Sequence, residues 1–274
     1  MELPDPSRLV PGARWGVCLL DAGTGAVLAE ADADLVLPTA SVAKVFVLVE
    51  LAARLERGEL SPDLLLDRRD AHPVRDSGLW QHLRVDVLPV EDVAVLVGAV
   101  SDNLATNALL DLLGLDRVQE RAAALAPGGS TLHDLVRDAR GGADPATLSS
   151  GCARDWAGLL AALHRGEVVS PAVSSTVLGW VSGGTDLSMV AAAFDLDPLA
   201  HRDQDLGVRL CNKTGTDAGV RADVGLVAGP GATVAYAVLC AWDDTEDPDG
   251  AAARREVLGA MRSVGDQVRA FLHP

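Results

Sequence analysis

Strand-type patterning in this 274-residue chain is confined to its two ends, with helical patterning over most of what lies between. Near the start, Trp15 to Leu20 alternates as a strand, Asp21-Ala22-Gly23-Thr24-Gly25 carries turn chemistry, and Ala26 to Glu30 returns, which is the pattern of a hairpin. Three further β-rich runs, Gly207–Thr214, Arg221–Val227 and Ala232–Trp242, occupy the last third, followed by an amphipathic helix over Ala251–Leu272. Between them lies an apolar run from Val42 to Leu55 with no wide polar face, which reads as a helix buried nearly all round. Val90–Ser101, Leu104–Leu113, Arg117–Leu125, Arg154–His164 and Pro171–Val181 read as further helices separated by Gly- or Pro-containing loops. The expectation is an α+β fold whose antiparallel sheet is split in sequence by an all-helical insertion. We expect a single domain over 1–274, with a sheet lobe from 1–40 and 203–274 and a helical lobe from 41–202.

Composition narrows the function. Apolar residues make up 49% of the chain, enough to build a core without staples. Lys and Arg total 23 against 39 Asp and Glu, a formal net charge of -16, and aromatics are 3%. Such a field repels nucleic acid and anionic membrane surfaces, and few rings are present to stack bases. The acidic, proline-broken start Met-Glu-Leu-Pro-Asp-Pro-Ser does not read as a signal peptide, and no apolar run is long enough to span a bilayer. A cytoplasmic monomer acting on a small molecule is the expectation, or a secreted one if an export signal precedes this start, with no nucleic-acid or membrane partner. Cys18, Cys152, Cys211 and Cys240 are scattered and form no CxxC pair, so reduced, mostly buried thiols are expected. The six histidines show no ligand spacing, so neither a metal nor another cofactor is expected. The acidic stretch Asp243–Asp249 lacks the spacing of a calcium loop and suits a position before a helix N-terminus.

Three short motifs carry the chemistry: Ser41-Val42-Ala43-Lys44 at the start of the buried helix, Ser101-Asp102-Asn103 between two helices, and Lys213-Thr214-Gly215 closing a strand. Residues three apart share a helix face, so the Ser41 hydroxyl and the Lys44 amine can meet. Burial and a second cation lower a lysine pKa, which lets the amine accept the serine proton. Lys213 and Thr214 offer a cation and a hydroxyl to a substrate carboxylate, and Gly215 permits close approach along the strand. Ser101 is placed to relay a proton between the two lysines, and Asn103 to bind a substrate amide. Any one motif occurs by chance; all three in this order point to nucleophilic acyl transfer.

This constellation resembles the class A serine β-lactamases and the wider penicillin-recognising serine hydrolases, over nearly the whole chain. Trp180 in a late helix and the β-β-α ending fit the same family. The resemblance implies a three-layer α/β/α fold around a five-stranded antiparallel sheet, with a helical lobe. It makes Ser41 the nucleophile, Lys44 its base, Ser101 a proton carrier, Asn103 a substrate ligand, and Lys213 with Thr214 the carboxylate site. The backbone N–H groups of Ser41 and Thr216 would form the oxyanion hole. Arg221 resembles the family's carboxylate-assisting arginine, at an offset from the lysine that is not quite the usual one. Trp80 reads either as the family's aromatic gate or as ordinary packing.

One part of the pattern is absent. The family's Glu-x-x-Leu-Asn motif, whose glutamate activates the hydrolytic water, has no counterpart: no glutamate occurs between Glu120 and Glu167. Asp138 lies closest to the expected place, with His133 and Asp134 as rivals, and a surface charge or cap is the competing reading for each. The resemblance therefore implies acylation of Ser41 by a β-lactam or a related carboxylate-bearing ester or amide, followed by slow or unusually catalysed release. A D-alanyl carboxypeptidase, an esterase and a non-turnover penicillin-binding domain remain as alternatives.

Overall fold

The computed structural model describes Leu3, Val10 and residues 12–243 and 251–273. Its strands are β1 (Arg14–Asp21), β2 (Val27–Ala31), β3 (Leu37–Pro38), β4 (Leu65–Asp67), β5 (Val87–Pro89), β6 (Thr131–Leu132), β7 (Ser149–Gly151), β8 (Arg209–Asp217), β9 (Val220–Ala228) and β10 (Thr233–Ala241). Its α-helices are α1 (Lys44–Glu56), α2 (Val90–Val100), α3 (Asn103–Leu113), α4 (Leu115–Leu125), α5 (Ala153–His164), α6 (Pro171–Val181) and α7 (Ala251–Leu272). The fold is α+β. Most of the candidate calcium stretch, residues 244–249, lies outside the described residues.

The sheet runs β2-β1-β10-β9-β8 with every neighbouring pair antiparallel. Its central strand β10 shows why both faces are covered. Ala235, Ala237, Leu239 and Ala241 join the core shared with α1 and α5, while Val234, Tyr236, Val238 and Cys240 join the core under α7. Successive side chains of a strand point to opposite faces, so an apolar residue at both parities demands a layer on each side. The alanines on one face let α5 lie close against β1, β9 and β10. On the other face α7 packs with a 3-10 turn at Val190–Phe194.

Elements from within residues 41–202 also cover the sheet. Helix α5 covers one face and the Val190–Phe194 turn helps cover the other. Helix α1 is buried over all of Lys44–Ala53, because α2, α3, α4 and α6 surround it, and the Phe46 and Trp156 rings meet 4.8 Å apart between α1 and α5. Two small sheets that periodicity does not reveal, β3-β7-β6 and β4-β5, tie loops of the helical region together. Strands of two or three residues are too short for alternation to register.

The four cysteines are free thiols. The register sets Cys18 opposite Ala237 and Glu30, Cys211 opposite Leu226, and Cys240 opposite Trp15 and Arg221, so no two face each other across the ladder. Among the described residues no helix is long and apolar enough to cross a membrane, and no group of three or more His, Cys, Asp or Glu could hold a metal ion.

Candidate active site

The turn that presents Ser41 is held from three sides. A 3-10 segment, Ala40–Ala43, leads directly into α1, and Ala40 enters it with φ of 46°. A left-handed alanine is strained backbone, the kind that persists where its surroundings enforce it. From β7, Ser149 Oγ donates to Ala40 O at 2.6 Å and shares a hydrogen bond with Thr39 Oγ1 at 2.7 Å. From β8, Gly215 lies flat against the turn. A Cβ at that position would sit 2.1 Å from Thr39 O and 3.1 Å from Ser41 N, so the approach of β8 to the serine requires glycine.

One helical turn on, Lys44 has no exposed surface. Its Nζ donates to Ser101 O at 2.6 Å, to Asn103 Oδ1 at 2.6 Å and to Ser101 Oγ at 3.3 Å. Burial, with the charge of Lys213 close by, holds its pKa well below the ordinary lysine value. Lys213, on β8, donates from Nζ to the same Ser101 Oγ at 3.0 Å and to Thr214 O at 2.8 Å. Burial pulls Lys213 down to about 8. The three sequence motifs thus converge on one hydroxyl.

Ser101 sits where α2 ends and α3 begins, in a left-handed conformation with φ of 56°. Asp102 next to it is fully buried and caps α3 through Ala105 N at 2.9 Å. The second oxygen of Asp102 accepts from Leu79 N and Trp80 N, each at 2.7 Å. Asn103 N donates to Ser77 O at 3.1 Å. The middle residue of Ser-Asp-Asn is thus a clamp on the loop at 76–80, a purpose that its place in the motif does not announce.

Ser41, Ser101, Asn103, Lys213, Thr214 and Thr216 line one cleft of ≈ 290 Å³, together with Asp76, Ser77, Asp186 and Asn212. A larger depression, between the charged residues of α1 and α4, lies apart from this chemistry. Gly215 is not among the lining residues; its part is the close approach of β8 to the turn at Thr39–Ser41.

Three expected residues are elsewhere. Trp80 is completely buried and donates from Nε1 to Val85 O at 3.1 Å; packing, and no gate over the cleft, is its place. Arg221 donates to Asp217 O and Val220 O at 2.9 and 2.6 Å, and its guanidinium lies 5.7 Å from the centre of the Trp242 ring. That hairpin position, opposite Thr216 across the ladder, does not bring it into the cleft lining. Asp138 is exposed, and its Oδ1 accepts from Arg75 N and Asp76 N at 2.8 and 3.1 Å. It braces a loop and does not line the cleft.

The rivals of Asp138 are equally committed. Asp134 is buried against Arg137 and Arg140, at 2.7 and 3.0 Å, and His133 Nε2 bonds with Ser150 Oγ at 2.8 Å. The part of this segment pinned to α3 is Val136, whose N–H and C=O both engage the Asn107 side chain at 2.9 Å. An apolar side chain occupies that anchored position. The cleft acids that sequence reasoning missed, Asp76 and Asp186, fall outside every motif, and only the fold brings them in.

The sequence matches the Beta-lactamase enzyme family over residues 8–266. No curated protein matches it significantly. Among solved structures, a β-lactamase from Sphaerobacter thermophilus superposes with a TM-score of 0.79 at 24% identity, covering 98% of this chain and 95% of that one. PBP-A follows with a TM-score of 0.77 at 23% identity, covering 97% and 94%. A class A β-lactamase from Mycobacterium abscessus gives 0.75 at 21%, covering 97% and 96%. At these identities the likeness speaks for the fold.

Proposed function

This chain belongs to the β-lactamase enzyme family, and we propose that it is a serine acyl-transfer hydrolase that opens a β-lactam ring, or a related carboxylate-bearing ester or amide, through an acyl-Ser41 intermediate. The observation that carries this reading is the shared hydroxyl: Ser101 Oγ lies within hydrogen-bonding distance of both Lys44 Nζ and Lys213 Nζ.

Each step follows from a group already placed. The neutral fraction of Lys44, raised by burial, takes the Ser41 proton as Oγ attacks the substrate carbonyl. The N–H groups of Ser41 and Thr216 receive the developing oxyanion. When the ring C–N bond breaks, the proton passes from Lys44 through Ser101 Oγ to the leaving nitrogen. Lys213, in its charged form, holds the substrate carboxylate with Thr214. Asn103 has its Oδ1 fixed on Lys44, which turns Nδ2 toward a substrate amide carbonyl.

Release of the acyl group needs an activated water. The segment on which the family places its glutamate carries Val136 at the anchored point, and Asp134, His133 and Asp138 are each bound to other partners. Slow hydrolysis of a long-lived acyl-enzyme is the expected behaviour. Intact-protein mass spectrometry after mixing with a chromogenic cephalosporin, with absorbance followed in parallel, tests this. A persistent adduct that is absent in Ser41→Ala supports the reading, many rapid turnovers would remove its slow step, and the absence of both adduct and colour would overturn it.

A further inference from the structure

Two cleft carboxylates have no task in the acyl-transfer chemistry, and they differ in how they are occupied. Asp186 is turned on its own loop, with Oδ1 accepting from Ser188 N at 3.1 Å and Ser188 Oγ at 2.6 Å. Asp76 is exposed. Its carboxylate meets the Asn103 Nδ2 amide at 3.3 Å through Oδ2, and among the described residues it takes part in no ion pair.

Asp76 is nevertheless firmly placed. Its own N–H is held by Asp138, the next carbonyl by Asn103 N, and Leu79 and Trp80 by the buried Asp102. Between them Gly78, with φ of 136°, presses so closely on Asp102 that a Cβ would stand 2.6 Å from its carboxyl carbon. The loop is therefore fastened to the tripeptide that supplies Ser101 and Asn103, and a side chain so supported keeps its position relative to the reacting groups.

The Asn103 amide orders the cleft. Oδ1 faces the buried Lys44 and Nδ2 touches Asp76, so the remaining Nδ2 proton is available to the carbonyl of a substrate side-chain amide. A substrate carbonyl that accepts this proton would bring its neighbouring carbon toward Asp76, since both share the Asn103 amide. Lys213 in the same cleft suits a carboxylate, whereas Asp76 sets a negative charge beside the Asn103 amide. We propose that Asp76 is a specificity-determining residue that favours substrates carrying an ammonium group on the carbon next to the acyl side-chain carbonyl, so that a zwitterion finds a partner for each of its charges. The inference rests on the acyl-transfer reading and goes further by naming the substrate class.

An exposed ion pair contributes modestly, so the expected preference is about three- to fivefold. Benzylpenicillin and ampicillin form a matched pair, since they differ by the α-amino group alone. The measurement is the second-order rate of Ser41 acylation for each, by stopped-flow mixing and intact-mass detection. We expect the ampicillin-to-benzylpenicillin ratio to fall about three- to fivefold in Asp76→Asn, to survive in Asp76→Glu, and to shrink in the native protein as salt is added. Adducts formed at an unchanged ratio in Asp76→Asn would overturn this inference alone. No adduct with either compound would overturn the acyl-transfer reading and the inference with it.

Discussion

Lys44 and Lys213 meet on a single hydroxyl, with Ser101 Oγ 3.3 Å from one Nζ and 3.0 Å from the other. Two ammonium groups so near each other, both out of water, cannot both hold their protons as firmly as free lysines do.

That relationship fixes a pH profile. In the proposed mechanism, acylation needs Lys44 neutral and Lys213 charged. Burial and the neighbouring charge hold Lys44 well below the ordinary lysine value, so kcat/KM climbs as rising pH removes its proton. It falls again as pH passes about 8, where Lys213 discharges and the substrate carboxylate loses its partner. We expect a bell-shaped profile of acylation with its alkaline limb near pH 8. In Lys213→Arg, whose guanidinium stays charged, that alkaline limb disappears even if the rate drops. A profile with the same alkaline fall in this variant would assign the limb to another group.

Gly215→Ala tests the contact between β8 and the turn at Thr39–Ser41. The new Cβ would stand 2.1 Å from a backbone oxygen, so strand and turn must part. An ångström of misplacement at a reacting group costs about 100-fold, and overpacking costs about 1–3 kcal/mol. Stopped-flow acylation and thermal melting read the two effects separately. Acylation at the native rate would show that this contact does not set the place of Ser41.

Asp138→Asn distinguishes a brace from a base. The carboxylate accepts two backbone N–H groups, and a neutral amide in its place weakens charge-assisted bonds by about 1 kcal/mol. We expect that loss in melting, with the rate of acyl-enzyme hydrolysis unchanged within about twofold. A collapse of hydrolysis with stability intact would return Asp138 to the reaction.

Trp80→Ala addresses the aromatic gate. Deleting a fully buried tryptophan costs about 3–5 kcal/mol, and its Val85 hydrogen bond goes with it. Melting should register the change, whereas KM of the folded fraction should not. The opposite result, a raised KM without destabilisation, is what a gating residue would give.

The sequence was most informative where chemistry and periodicity are local. Ser41, Lys44, Ser101, Asn103 and Lys213 stand in motifs whose order pointed to one site, and the fold gathers them in one place. The helices are long enough that α6 begins and ends where its pattern does, at Pro171 and Val181. Reading failed where position depends on what lies across the chain. Trp80 could not be told from a gating residue until Val85 and the helical core enclosed it. Arg221 is on the expected strand, but the tight hairpin at Asp217–Val220 directs its guanidinium to backbone carbonyls of that hairpin. Asp138 has the right charge near the right place, and its partners are backbone amides far earlier in the chain, at Arg75 and Asp76. Asp76 belongs to no motif, and it is the bonds of Asp138, Asn103 and Asp102 to its loop that bring it to the cleft.

The split sheet has a consequence for synthesis. Ser41, Lys44 and Ser101 leave the ribosome long before Lys213, and β1 cannot pair with β10 until nearly the whole chain has emerged. Contacts this distant in sequence form late. A nascent chain halted before β10 would hold Ser41 without the sheet that seats it, so under the proposed function acylation of Ser41 would begin only once β10 has paired with β1.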